Sequence, residues 1–174
     1  MKKLQTLTLL AALTIGSMTL LNSCAKDLCK DVVCENGGNC VEGDCDCLDG
    51  YEGTLCETQI RTKFQGTWQV TESCDQTPDL TYSITIGPHS TQVTQVNITN
   101  FWNAFVDNPV VASVTTNTIT IASQQPDNDG WIVVGSGTLN TSVTPNTIDW
   151  EFTVTDTNDD PDWINQCTAA SVKL

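Results

Sequence analysis

Nine cysteines carry most of the chemistry open to this chain of 174 residues. A thiolate can attack a carbonyl, hold a soft metal, pair as a disulfide or accept a lipid through a thioether. The first two uses need neighbours that the sequence does not supply. Catalysis through sulfur needs a base, and His89, set in Gly-Pro-His-Ser, is the single histidine and is expected in an exposed turn. Zinc sites favour paired Cys-x-x-Cys knuckles, whereas Cys29, Cys34, Cys40, Cys45, Cys47 and Cys56 are separated by four, five, four, one and eight residues. Gly135-Ser136-Gly137 falls short of a nucleophile elbow, and no phosphate-binding loop is present. Asp149 and Glu151 are the nearest approach to an acid–base pair and are expected on opposite faces of a strand. No catalytic, cofactor-binding or metal-ligating residue is therefore expected.

The tract Asp-Thr-Asn-Asp-Asp-Pro-Asp-Trp, with Asp156, Asp159, Asp160 and Asp162, has carboxylates enough for a calcium ion. A solvated loop is the expected reading. Asp127 and Asp129 before Gly130 imitate part of a calcium loop but lack its closing glutamate, so a hairpin turn is expected there.

The segments that must position these thiols come next. Met1, Lys2 and Lys3 precede an apolar run from Leu4 to Leu21, which reads as a signal peptide over residues 1–23. Gln5, Thr6, Thr8, Thr14 and Thr19 make it a poor membrane span. A removable secretory segment implies an oxidising compartment, where cysteines are read first as disulfides. An odd number cannot all pair.

Leu21-Asn22-Ser23-Cys24 resembles the bacterial lipobox. That resemblance implies that Cys24 becomes the acylated first residue of the mature chain, which would tether the protein to a bacterial cell-envelope membrane. Thiolate nucleophilicity suits the residue to lipid transfer, and several acyl chains give stable anchoring where one does not. Lys26 and Asp27 resemble a charged signal for export to the outer-membrane surface. Eight cysteines then remain.

Residues 25–58 contain Cys29, Cys34, Cys40, Cys45, Cys47 and Cys56 with Gly50-Tyr51 and Gly53 ahead of the last, and this pattern resembles the EGF-like module. The spacing alone leaves the pairing open. The resemblance implies Cys29 with Cys40, Cys34 with Cys45, and Cys47 with Cys56. A unit this small buries too little to fold unaided, so each short loop must contribute roughly 3 kcal/mol in the chain-entropy model. Asp27 is the only acidic residue just ahead of Cys29, and Val-Glu-Gly-Asp between Cys40 and Cys45 lacks an aromatic, so no calcium site is expected in this unit.

From Arg61 the composition shifts to Thr, Val and Ile, and a boundary is expected near Thr58 to Thr62. Expected strands cover 64–71, 81–86, 92–99, 110–115, 118–122, 131–139, 147–155 and 167–172. The alternation of Ile148, Trp150, Phe152 and Val154 with polar residues is the clearest. Turn residues punctuate the segment: Gly87-Pro88, Asn108-Pro109, Asn117, Asp127 to Gly130 and Pro145-Asn146. The expected class is all-β: a small disulfide-rich module, then an antiparallel barrel or sandwich of about eight strands over residues 61–174. Gly66-x-Trp68 resembles the opening motif of lipocalin-like barrels. Cys74 and Cys167 follow the first strand and begin the last, which are neighbours in a closed meander, so a bridge is expected between them.

The formal charge of -14 argues against nucleic acid and against electrostatic adhesion to anionic lipid. The expected function is a lipid-anchored cell-envelope interaction or scaffold protein, in which the EGF-like module presents the β domain to a protein or a glycan. The alternative is a lipocalin-like carrier of a small apolar ligand. A barrel interior filled by Trp68, Ile84, Ile121, Trp150 and Phe152 would exclude the carrier.

Overall fold

A computed structural model describes residues 27–174. The expected signal peptide over residues 1–23 and the expected acylation site Cys24 lie outside the described residues. The chain opens with two small antiparallel pairs. Strands β1 (Asn39–Val41) and β2 (Asp44–Asp46) form a hairpin across Cys40↔Cys45, and β3 (Tyr51–Glu52) pairs with β4 (Thr58–Gln59). Glu42 and Gly43 turn the hairpin at φ 54° and 100°, the left-handed geometry that two-residue loops need to match strand twist. A 3-10 helix, Ile60–Lys63, leads into the larger unit.

That unit is a closed antiparallel barrel of eight strands: β5 (Gly66–Cys74), β6 (Leu80–Pro88), β7 (Gln95–Thr99), β8 (Val110–Val114), β9 (Thr118–Gln124), β10 (Trp131–Asn140), β11 (Thr147–Asp156) and β12 (Trp163–Lys173). Every strand pairs with its sequence neighbours, and β12 closes on β5 from Cys167↔Cys74 to Lys173↔Trp68. Closure removes the exposed edges that a sandwich would keep, so the expected alternatives resolve to the barrel.

Most strand boundaries shift by one to four residues from expectation, and two of the shifts have a local cause. Gln92 to Thr94 are outside β7, because His89 Nδ1 accepts the amide hydrogens of Thr91 and Gln92 and the chain turns there. β12 begins at Trp163 rather than near Cys167, because β11 and β12 stay paired out to Asp156↔Trp163 and only residues 157–162 form the turn.

Inward positions alternate along each strand and make one core. Trp68, Ile84, Ile121, Trp150 and Phe152 are all buried in it, with Ile86, Ile98, Ile119, Ile148 and Val133 around them. Each such side chain contributes roughly 1.5–3 kcal/mol by leaving water. Gly135 and Gly137 stand opposite Phe152 and Trp150. A Cβ at Gly137 would strike the Trp150 ring, Ile148 and Ile119, and one at Gly135 would strike Phe152 Cβ and the β11 backbone, so the glycines let β10 approach β11 closely and leave room for Trp150. The one polar tip this places inside is satisfied: Trp150 Nε1 donates to Ser171 Oγ at 2.7 Å.

The two ends of the barrel are closed differently. At the end where β5 begins, Phe64 is fully buried and its carbonyl accepts from Trp68 Nε1 at 2.8 Å. Lys173 Nζ lies 5.4 Å from the Trp68 ring centre and donates to the Lys63 carbonyl. The disulfide-rich unit seats here. Gly50, at φ 90°, is pressed against Val93 and Thr94 with no room for a side chain. Arg61 donates to the carbonyls of His89 and Gln92. At the opposite end, residues 100–109 fold inward, and Phe101 and Phe105 plug the opening. Phe101 packs edge-on against Trp150 and Phe152 at 5.6 and 4.9 Å.

Candidate functional site

The sulfur atoms are structural throughout the described residues. Cys29 bonds Cys40, Cys34 bonds Cys45, Cys47 bonds Cys56, and Cys74 bonds Cys167 across the seam that closes the barrel. The first three are the partners that the sequence resemblance implies, and the fourth joins directly opposed residues whose Cα atoms are 4.1 Å apart. His89 caps its own loop.

The acidic groups singled out in the sequence do not converge. Asp156 turns its carboxylate back on Asn158, accepting from both its amide and its side chain. Asp129 Oδ1 accepts from the Trp131 amide, and Asp127 accepts from Asn108. Asp149 and Glu151 correct one expectation. They are two residues apart and therefore share a face, the exposed exterior of β11. Broad clefts of about 580 Å³ run over that exterior across β5, β12, β11 and β10, lined by Ser73, Thr168 and other outward side chains.

A different cluster stands out at the plugged end. Trp102 comes from the plug, Trp131 from the first residue of β10 and Trp163 from the first residue of β12. Their ring centres are 5.4 Å (Trp102 to Trp131), 5.6 Å (Trp131 to Trp163) and 6.5 Å (Trp102 to Trp163) apart. All three are half-buried. Three of the five tryptophans of the chain thus crown one end with part of their surface in solvent.

The loops around them are tied together. Asn108 Nδ2 reaches Asp127 from the plug, Asn158 Nδ2 donates to the Asp129 carbonyl, and Thr157 bonds the Gly130 carbonyl through both its amide and its hydroxyl. Asn165, fully buried, accepts from the Gln76 amide and donates to Thr77, which fixes the β5–β6 loop. Asn100, Trp102 and Asn103 all have φ between 52° and 63°, a left-handed run that surrounding structure must impose. Asn100 Nδ2 donating to the Ser83 carbonyl is one such constraint.

Beside Trp102 lies an open cleft of about 260 Å³ lined by Glu72, Thr77, Pro78, Asp79, Leu80 and Asn103. Glu72 is 3% exposed and accepts a hydrogen bond from Tyr82 Oη at 2.6 Å through Oε2. Desolvation raises its carboxyl above the ordinary range, with the Tyr82 hydroxyl opposing. Burial, then the Glu72 bond and charge, push the Tyr82 phenol up in turn, against a backbone bond from Trp102.

Within the barrel, charge is sorted between the two ends, while the disulfide-rich unit carries nine acidic residues of its own between Asp27 and Glu57. The loops at the tryptophan end carry Asp75, Asp79, Asp107, Asp127, Asp129, Asp159, Asp160 and Asp162, all exposed, and no lysine or arginine. Among the described residues the lysines and arginines are Lys30 in the disulfide-rich unit and Arg61, Lys63 and Lys173 at the opposite end of the barrel. This end is therefore a strongly negative rim around an aromatic patch.

Sequence reasoning missed Glu72, Tyr82 and the three tryptophans as a group. Two signals were present: Trp131 and Trp163 each follow an aspartate-rich turn directly, and Glu72 sits in register with Trp68 and Val70 on β5.

No family model matches the chain. A stretch of 27 residues, 16% of this chain, is 56% identical to the protein tag-53 of Caenorhabditis elegans. The chain spans 2% of the length of that curated relative. Among solved structures a redesigned β-barrel is similar at a TM-score of 0.45 and 15% identity, over 66% of this chain and 95% of that one.

Proposed function

We propose that this protein is a lipid-anchored cell-envelope interaction protein that acts by binding rather than by catalysis. An EGF-like module next to the acylated Cys24 would hold the barrel off the membrane and present its far end to a partner. The observation that carries this reading is the seating of the disulfide-rich unit at one end of the barrel, which leaves the tryptophan end as the distal surface. The interior supports binding at a surface over the carriage of an apolar ligand. Trp68, Ile84, Ile121, Trp150 and Phe152 fill it, and Phe101 and Phe105 plug the mouth through which a ligand would pass.

The test is intact mass of membrane-extracted protein before and after reduction, combined with protease accessibility on whole cells. The expected result is a chain beginning at an acylated Cys24, four disulfides, and cleavage in the tryptophan-end loops by protease added outside. A mature chain that retains Met1, or free thiols in the native protein, would overturn the reading. Displacement of an apolar dye from the interior would favour a carrier instead.

A further inference from the structure

We propose that the tryptophan end of the barrel docks a basic segment of a partner protein, seating a lysine or arginine side chain on Trp102, Trp131 and Trp163 between the aspartate-bearing loops. The proposal rests on the reading that this end is the interaction surface, and it names the chemistry of the partner.

The aromatic geometry is the first argument. Indole faces are the best π acceptors for organic cations, and tryptophans left partly in water at the centre of a patch are the residues that most often dominate a protein interface. Here three lie within 6.5 Å of one another. The ties among the 100–109, 125–130 and 157–162 loops hold them in place before any partner arrives, which lowers the ordering cost of binding.

Charge complementarity selects the occupant. Every exposed formal charge on the surrounding loops is negative, and the lysines and arginines of the barrel are at its other end. A neutral sugar would stack on indole rings but gain nothing from these carboxylates. They are spread over four loops, wider than one small ammonium ion can use, and a chain bearing several cations matches that span. The cleft beside Trp102 fits the same occupant: Leu80 and Pro78 offer apolar wall for an aliphatic stem, and the exposed Asp79 offers a carboxylate at its side.

The test uses the full chain in detergent, titrated with an oligoarginine peptide and followed by tryptophan fluorescence and calorimetry. An oligoglutamate peptide and a neutral glucan oligosaccharide serve as comparisons. Saturable binding of the basic peptide that weakens with added salt is expected. Trp163→Ala, which removes a ring outside the main core, should weaken it about 3- to 30-fold. Asp159→Asn with Asp160→Asn and Asp162→Asn should slow association and flatten the salt dependence. Binding of the glucan in place of the peptide, lost in Trp163→Ala, would overturn the cationic partner while leaving the surface assignment intact. Peptide binding unchanged in both variants would overturn both.

Discussion

Glu72 is the residue on which chemistry and folding oppose each other most directly. It occupies an inward position of β5, next along the stripe from Trp68 and Val70, and its one side-chain hydrogen bond is from Tyr82. Burial raises its pKa in the folded state, so the folded chain holds that proton more tightly than the unfolded chain does. Stability from this group is present below the unfolded carboxylate value of 4.5 and declines as pH rises through the folded value. Glu72→Gln keeps an acceptor for Tyr82 and removes the ionisation. Urea midpoints of the two proteins should diverge as pH rises above 4.5 toward neutrality, with the variant the more stable at neutral pH. Parallel curves would show that the carboxyl stays solvated. The alternation of Trp68, Val70 and Glu72 carries the signal for this inward position, but the strand expected there stops at residue 71 and leaves it unread; its partner Tyr82 has no such signal, because the pairing depends on how β5 and β6 register.

At the scale of elements, the loops of the tryptophan end matter more than their composition suggests. Gly130 has φ 95° and faces Asn158 at a distance that leaves no space for a Cβ. Gly130→Ala should therefore cost about 1–3 kcal/mol in backbone strain and break the contact between the β9–β10 and β11–β12 turns. A red-shifted tryptophan emission, reporting Trp131 and Trp163 loosened into water, is the accompanying signature. Unchanged emission would mean that the turns hold independently. Strands such as β11 were legible because period-two alternation over ten residues is a strong local signal. The start of β7 was not, since Gln92 to Thr94 have ordinary strand composition and are bent aside by the His89 side chain. The tryptophan cluster was illegible for another reason: residues 102, 131 and 163 meet only once the barrel closes.

For the whole molecule, the division of labour between ends is the main property. One end gathers Phe64, Trp68, Lys173 and the disulfide-rich unit, and the other gathers three indoles ringed by aspartates with no lysine or arginine among them. Fold class could be anticipated because eight strand-like segments and their turns are written locally. The barrel itself rests on β12 meeting β5, which no local pattern states. The Cys74–Cys167 bond fastens that meeting over a sequence separation of 93. Replacing both cysteines by alanine should lower unfolding stability by about 2–5 kcal/mol while leaving the circular dichroism of the folded barrel unchanged. A loss well under 1 kcal/mol would indicate that sheet pairing alone holds the seam. The same seam bears on biogenesis. Because β5 waits for β12, a chain emerging N-terminus first keeps two sheet edges unpaired until nearly all of it is out, and that interval is when it is most open to aggregation.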